Sequence, residues 1–367
     1  MSPGRLTKAS CRHGRRKRLA DLHFIVPGDP ETRTGGFIYD RRMAEALQNQ
    51  GLEVTVHALP SGWPFPGEEA LQAAEALFAG LPSGALVLVD GLAYGVLPEL
   101  AAGHGDRLRL VALVHHPLAE ETGLSVQDRE ALSESECTAL THARYVVATS
   151  GFTANALLDY GVTQDRIGIV PPGVEPASLA AGSGGETPHL LCVATLTPRK
   201  GHDVLLNALA GLADRAWALD LAGSEVLNVR HATQMRRLCS GLNLDQRVRF
   251  HGELAGEGLE ALYRHADIFV LASHYEGYGM VLTEAVAHGL PVVATAGGAV
   301  PYTLPEGAGL LAPPGDIAGL RAALARVLDS AELRERMAAG ARAARDRLPT
   351  WGDSAMKLAN ALEQVGP

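Results

Sequence analysis

Twelve short apolar runs, separated by stretches of helical periodicity, constrain the fold of this chain most strongly. Short apolar runs bounded by turn residues are typical of strands buried on both faces of a parallel sheet, with helices as the crossovers. Six runs lie at 22–26, 53–58, 85–89, 108–114, 145–149 and 168–170, and six more at 190–195, 218–222, 248–251, 268–272, 291–294 and 309–311. The pattern predicts two Rossmann-like α/β domains facing each other across a cleft.

A break in this alternation marks the domain boundary. The residues at 182–188, Gly-Ser-Gly-Gly-Glu-Thr-Pro, are poor in apolar side chains, which is typical of a flexible linker. A helical pattern later fills 317–348, and an amphipathic helical pattern follows Pro349. We therefore predict five segments: a basic arm over 1–20, a first domain over 21–175, a linker over 176–188, a second domain over 189–348 and a C-terminal helix within 349–367.

Charge is distributed unevenly along the chain. Residues 1–20 hold seven Lys or Arg and no acid, whereas the remainder holds 25 bases against 41 acids. The basic arm is predicted to be disordered; contact with an anionic membrane and a passive solvated tail are its two interpretations. The acidic remainder argues against nucleic acid as a partner. No run approaches the roughly 18 apolar residues of a membrane span, so we expect a cytoplasmic protein, or one peripheral at the inner membrane face.

The stretch at 273–285, Ser-His-Tyr-Glu-Gly-Tyr-Gly-Met-Val-Leu-Thr-Glu-Ala, places Glu276 and Glu284 eight positions apart. A buried strand precedes it, and its glycine turn leads into a helix. A helix N-terminus that follows such a turn directs free backbone N–H groups and a positive dipole at an anion. The sequence therefore predicts an anion site at Gly277, Tyr278, Gly279 and Met280.

This stretch resembles the E-x7-E signature of retaining glycosyltransferases of family 4, and the resemblance extends from about residue 24 to residue 362. It implies a GT-B architecture, with a glycogen-synthase-like donor domain second and a C-terminal helix that crosses back to the first domain. It also implies a hexosyltransferase that moves a sugar from a UDP- or GDP-linked donor to an acceptor hydroxyl with retention of configuration. The nucleotide sugar is a substrate, and no cofactor is expected.

The resemblance assigns roles to particular residues. Glu284 would hold the nucleotide ribose, and Glu276 would contact the transferred sugar. Arg199 and Lys200, in Thr-Pro-Arg-Lys-Gly, would stabilise the departing diphosphate, where fixed cations act most strongly in the transition state. The donor-side set is completed by the glycine pair after the first strand and by the turn residues: Gly35, Gly36, Gly277, Tyr278, Gly279 and Met280.

The fourth strand ends in His115 and His116, and the family commonly has a histidine there that reaches the transferred sugar. We favour His115 as the catalytic histidine, with His116 and Trp63 as acceptor-side candidates. The resemblance implies a same-face mechanism in which the departing phosphate helps to deprotonate the acceptor, so no nucleophile is assigned.

Two departures from the family pattern restrict these predictions. Tyr302 stands where the family often carries an acid, which leaves the donor sugar open. No D-x-D and no H-E-x-x-H pattern occurs, so we predict that no metal takes part.

Three alternatives remain open. A nucleotide-sugar epimerase or a sugar phosphorylase could use the same scaffold, because a fold does not fix a reaction. A non-catalytic nucleotide-sugar-binding protein is the third. A dinucleotide-dependent dehydrogenase is disfavoured, because no G-x-G-x-x-G follows either domain's first strand. The acceptor and the oligomeric state are not fixed by the sequence.

Overall fold

The structure, a computed structural model, describes residues 21–366. The predicted basic arm over 1–20, and its proposed membrane contact, lie outside these residues. Between residues 21 and 366 there is no helix whose length and apolar character would let it span a bilayer.

The first domain is built on a six-stranded sheet in which every neighbouring pair is parallel. The strand order is β2-β1-β3-β4-β5-β6. The central strands β1, β3 and β4 are buried almost throughout, as a parallel sheet covered on both faces requires. The strands are β1 Leu22–Val26, β2 Val54–Ala58, β3 Leu86–Asp90, β4 Arg109–Val114, β5 Tyr145–Ala148 and β6 Ile167–Ile169.

Within the described residues, six α-helices connect these strands. The short helices α3 and α4, which follow β3, were not predicted, because neither is long enough to show a helical period in the sequence. Ser150 is the N-cap of α6, and its side chain accepts a hydrogen bond from the Thr153 amide at 3.0 Å. The helices are α1 Gly35–Asn49, α2 Glu68–Gly80, α3 Gly91–Tyr94, α4 Pro98–His104, α5 Val126–Thr141 and α6 Gly151–Asp159.

The second domain repeats the arrangement with an all-parallel sheet of order β12-β11-β10-β7-β8-β9. The prediction of two parallel-sheet α/β domains is thereby confirmed. The strands are β7 His189–Val193, β8 Ala218–Ala222, β9 Val248–Gly252, β10 Ile268–Leu271, β11 Val292–Thr295 and β12 Gly309–Ala312.

The helical pattern at 317–348 is two helices rather than one continuous stretch. Ser330 separates them, and its side chain caps the second by accepting from the Leu333 amide at 3.1 Å. The helices of the second domain are α7 His202–Ala210, α8 Val229–Gly241, α9 Glu257–His265, α10 Met280–Ala287, α11 Val300–Thr303, α12 Ile317–Asp329 and α13 Ala331–Arg345.

Two further segments join the domains. The stretch after β6 contains no helix or strand, and the backbone amides of Ala180, Ala181 and Gly182 bond to carbonyls of the second domain. Helix α14, Trp351–Glu363, starts at a Thr350 capping box and packs against α1. The C-terminal helix therefore crosses back onto the first domain, as the resemblance implies.

Candidate functional site

A cavity of about 910 Å³ lies between the two domains. Its walls come from the loops that follow β1, β3 and β4 of the first sheet and β7, β8, β9 and β10 of the second. Ligands of open α/β sheets bind outside the carboxyl ends of the strands. The cavity is therefore in the position that the topology favours for a substrate site.

The glycine turn before α10 brings the two domains into direct contact. A Cβ on Gly277 would lie 2.2 Å from the His115 carbonyl oxygen, so only glycine permits this approach. Gly279 has a φ of +87° and precedes Met280, the first residue of α10. Gly277, Tyr278, Gly279 and Met280 all line the cavity, with the N-terminus of α10 directed towards it.

Lys200 and Glu276 form a close ion pair in the cavity wall. The Lys200 Nζ lies 2.6 Å from Glu276 Oε1, which also accepts a hydrogen bond from Ser273 Oγ at 2.6 Å. Burial lowers the pKa of Lys200, although Glu276 opposes this effect. Burial alone would raise the pKa of Glu276, but Lys200 and Arg199 hold it below its ordinary value. The predicted phosphate ligand and the predicted sugar ligand thus contact each other in this structure.

Arg199 connects the second domain to the first. Its guanidinium lies 3.6 Å from Glu276 Oε2 and donates to the Tyr275 carbonyl at 3.0 Å. Its Nε lies 3.1 Å from Glu121 Oε1 on the opposite domain. Burial alone would raise the pKa of Glu121, but His116 and Arg199 together lower it to about 2. Glu121 is therefore an anion beside the predicted diphosphate site, and the sequence analysis did not identify it.

Glu284 lines the cavity one turn into α10 and accepts a hydrogen bond from the Tyr263 hydroxyl at 2.8 Å. Tyr263 in turn stacks on His288, with ring centroids 4.6 Å apart. Burial raises the pKa of Glu284, and the tyrosine bond partly offsets this. The carboxylate is held in one orientation by a partner from α9, which the sequence analysis missed.

His115 is held by two carboxylates of the first domain. Its Nε2 lies 3.0 Å from Asp90 Oδ2 and 3.2 Å from Asp40 Oδ1. Gly36 leaves space for the ring, since a Cβ there would lie 3.4 Å from it. Neither aspartate was identified from the sequence, although Asp40 follows the glycine pair by one helical turn and Asp90 ends a strand.

These three side chains form the one group of potential metal ligands found within residues 21–366, with donor atoms all within 4.8 Å of one another. The two nitrogen–oxygen distances, 3.2 Å to Asp40 and 3.0 Å to Asp90, are those of direct contacts between the side chains. His115 thus contacts both carboxylates through one nitrogen, with a hydrogen bond to Asp40, and the absence of a metal requirement stays a prediction.

The remaining predicted residues also line the cavity. His116 lies 3.7 Å from Glu121, and burial lowers the pKa of His116. Trp63 is mostly buried and donates through Nε1 to the Pro60 carbonyl at 2.7 Å, so only a small part of its surface faces the cavity. Gly35 begins α1 beside Gly36. The structure thus places all thirteen predicted site residues on one cavity; their roles stay predictions.

Two opposed Rossmann-like domains with this cavity between them define the GT-B architecture. Comparison with known protein families supports this assignment. The family model described as Glycosyltransferase Family 4 matches residues 34–178, and that described as Glycosyl transferases group 1 matches residues 180–344. Together they cover nearly all of both domains. The chain belongs to glycosyltransferase family 4.

Individual proteins are similar over different extents. Mannosylfructose-phosphate synthase of Agrobacterium fabrum is 33% identical over 59% of this chain and 52% of its own. The chain thus spans about half the length of that relative. In fold, the chain resembles sucrose-phosphate synthase from Thermosynechococcus elongatus, with a TM-score of 0.79 and 24% identity over 94% of this chain and 99% of that one. The chain also resembles HepE of Anabaena in fold, with a TM-score of 0.73 and 16% identity, over 94% of this chain and 100% of HepE.

Proposed function

We propose that this protein is a retaining glycosyltransferase that transfers a sugar from a nucleotide-diphosphate sugar to an acceptor hydroxyl without a metal ion. The observation that carries the proposal is the set Arg199, Lys200, Glu276 and Glu284, which converges on one cavity beside the N-terminus of α10. Family membership supports the transferase class.

The geometry suits a diphosphate leaving group. Two cations and a helix N-terminus border the same space, and each stabilises negative charge that grows as the glycosidic bond breaks. Glu276 pairs with both cations. The incoming diphosphate would take over part of this pairing, which frees Glu276 to accept hydrogen bonds from sugar hydroxyls.

A UDP- or GDP-linked sugar is the donor we propose. HepE of Anabaena, which shares the fold, was solved in complex with UDP and glucose. We assign the ribose contact to Glu284, which lines the same cavity one turn into α10. We propose a cytoplasmic location, where such donors are available. We do not assign the acceptor.

A panel of nucleotide sugars tests this function directly. The donor should raise the melting temperature most, since a ligand at a hundred times its Kd adds about 2.7 kcal/mol to stability. Proton NMR of the product formed from that donor should then show the donor's anomeric configuration.

Three outcomes would replace the proposal. Inversion of configuration would contradict the retaining mechanism. An isomerised donor without release of nucleoside diphosphate would indicate the epimerase alternative, and binding without turnover of any donor would indicate a binding protein.

A further inference from the structure

The carbonyl groups of the glycine turn before α10 are bonded in a pattern that the proposed reaction does not explain. The Glu276 carbonyl accepts from the Ala299 amide at 2.8 Å. The Tyr278 carbonyl accepts from the Thr303 hydroxyl at 2.6 Å. Both donors belong to the second domain, which also carries the turn. A buried carbonyl without a donor costs free energy, so these bonds help to set the conformation of the turn.

The carbonyl between these two accepts from the opposite domain. Thr153, in the first turn of α6, is fully buried, and its Oγ1 donates to the Gly277 carbonyl at 3.3 Å. Between residues 21 and 366, no group of the second domain donates to this carbonyl. All three carbonyls of the turn are therefore bonded only while the two domains are in contact.

The same hydroxyl contacts the loop that carries the predicted catalytic histidine. Thr153 Oγ1 lies 3.2 Å from the His115 carbonyl oxygen, the atom with which a Cβ on Gly277 would clash. One hydroxyl hydrogen serves one acceptor at a time, but Thr149 Oγ1 also donates to the His115 carbonyl, at 3.2 Å. That carbonyl thus keeps a donor while Thr153 donates to Gly277. Ser150 Oγ donates to Thr153 Oγ1 at 3.0 Å, which helps to orient the Thr153 hydroxyl.

An aromatic contact beside Thr153 joins the same two domains. The centroid of the Phe152 ring lies 5.9 Å from that of Tyr275 and 5.9 Å from that of Tyr302, both in the second domain. Aromatic rings at this separation attract each other. Tyr302 stands where the family often carries an acid, so at that position this chain has a ring in contact with the first domain.

We propose that Thr153 is a positioning residue for the transfer reaction, whose hydroxyl aligns the glycine turn of the second domain with the His115 loop of the first. Phe152 supports this alignment through Tyr302. The inference rests on the proposed function, because the donor phosphate would bind at the turn and the transferred sugar would face His115. Thr153 has no exposed surface, so it acts through the two backbones that it contacts. A displacement of about 1 Å between groups that act on one substrate can cost about a hundredfold in rate.

The substitution Thr153→Val removes the hydroxyl and keeps the shape of the side chain. Arg199, Lys200 and Glu284 are unchanged, so the Kd of UDP or GDP should change by less than about threefold, whereas kcat should fall by about tenfold or more. Thr153→Ser keeps the hydroxyl and should retain at least about half of the parent kcat. Thr138→Val, the same chemical change at an exposed position on α5, should keep the parent kcat. A kcat within about twofold of the parent in Thr153→Val would overturn the proposal.

Hydrogen exchange measured by mass spectrometry tests the alignment without any reaction. In Thr153→Val, the amides of 273–282 in the second domain and of 114–120 in the first should both exchange faster, by about threefold or more. Thr303→Val is the matched comparison, because it removes the donor to the neighbouring carbonyl from within the second domain. Its effect should be confined to 273–282. Faster exchange in Thr153→Val that stays within the first domain would contradict the proposal.

Two further variants keep the inference testable. If Thr153→Val does not fold, Thr153→Ala removes the same hydroxyl without added bulk, and exchange in the same two segments decides the matter. Tyr302→Ala, at an exposed position, should speed exchange in 273–282 by about twofold, and parent exchange there would contradict the supporting role of Phe152. A protein that failed to transfer any sugar could still show these exchange patterns, so failure of the proposed function and failure of this inference are distinguishable.

Discussion

The two walls of the cavity draw their side chains from the sequence in different ways. On the second-domain wall, two short segments at 195–202 and 273–285 supply the four predicted charged side chains, Arg199, Lys200, Glu276 and Glu284. On the first-domain wall, Asp40, Asp90 and His115 come from three segments that lie far apart in the chain. The second-domain wall can be recognised in the sequence because its spacing is local and its helix N-terminus supplies part of the site. The first-domain wall depends on strand order, which brings the ends of β3 and β4 together. The difference teaches that sequence motifs are enough to identify the second-domain wall of such a site, whereas the first-domain wall can be identified only once the tertiary structure is known.

The largest effect should follow removal of the basic pair. Lys200→Ala and Arg199→Ala should each lower kcat by about a hundredfold or more, because both charges act on the leaving diphosphate. The double variant should lose less than the product of the two, since they share one leaving group. Arg236→Gln, in an exposed ion pair with Glu225 on the same domain, is the control and should keep the parent kcat. Near-normal turnover of the two cavity variants would place the diphosphate elsewhere.

Glu284→Gln should mainly weaken donor binding. Its ribose contact exists before and during the reaction, so its loss should raise the Kd of a nucleoside diphosphate by about tenfold with a smaller change in kcat. Tyr263→Phe, which removes only the hydroxyl bonded to Glu284, should have a smaller effect of the same kind. Calorimetry with UDP and GDP measures both. A large loss of kcat at unchanged affinity would assign Glu284 to the chemical step instead.

Glu121→Gln should strengthen the binding of a nucleoside diphosphate, whereas Glu284→Gln should weaken it. Glu121 is an anion 3.1 Å from Arg199, so it competes with an incoming diphosphate for that cation. Its removal should tighten binding of a nucleoside diphosphate by about threefold at low salt, and less at high salt because exposed charges are screened. Glu120→Gln, the exposed neighbour, is the matched control. Weaker binding in Glu121→Gln would show that this carboxylate supports the donor site.

Chelation should have the smallest effect. His115 Nε2 contacts both Asp40 and Asp90 directly, so we expect EDTA to lower the rate by less than about twofold. Complete loss of activity that magnesium or manganese restores would assign these three residues to a metal site. Each wall of the cavity would then bind an ion, a metal cation on the first domain and the diphosphate on the second.

The sequence predicts the strands, the two sheets and the crossing C-terminal helix, because buried parallel strands and amphipathic helices have distinct periods. It does not predict the partners of the site residues. Asp40 lies inside an amphipathic helix and Asp90 at the end of a strand, where an acid is usually a cap or a surface group, and Asp90 does cap α3. Tyr263 looks like a core residue of α9 until the tertiary structure places its hydroxyl against Glu284.

The central claim is that both walls serve one transfer reaction. Release of nucleoside diphosphate from the most stabilising nucleotide sugar, measured for the parent, Lys200→Ala and His115→Gln, tests this most directly. The account predicts release by the parent and a loss of about a hundredfold in each variant, one from each domain. Release that falls in Lys200→Ala but stays at the parent rate in His115→Gln, at a high acceptor concentration, would contradict a site built from both domains.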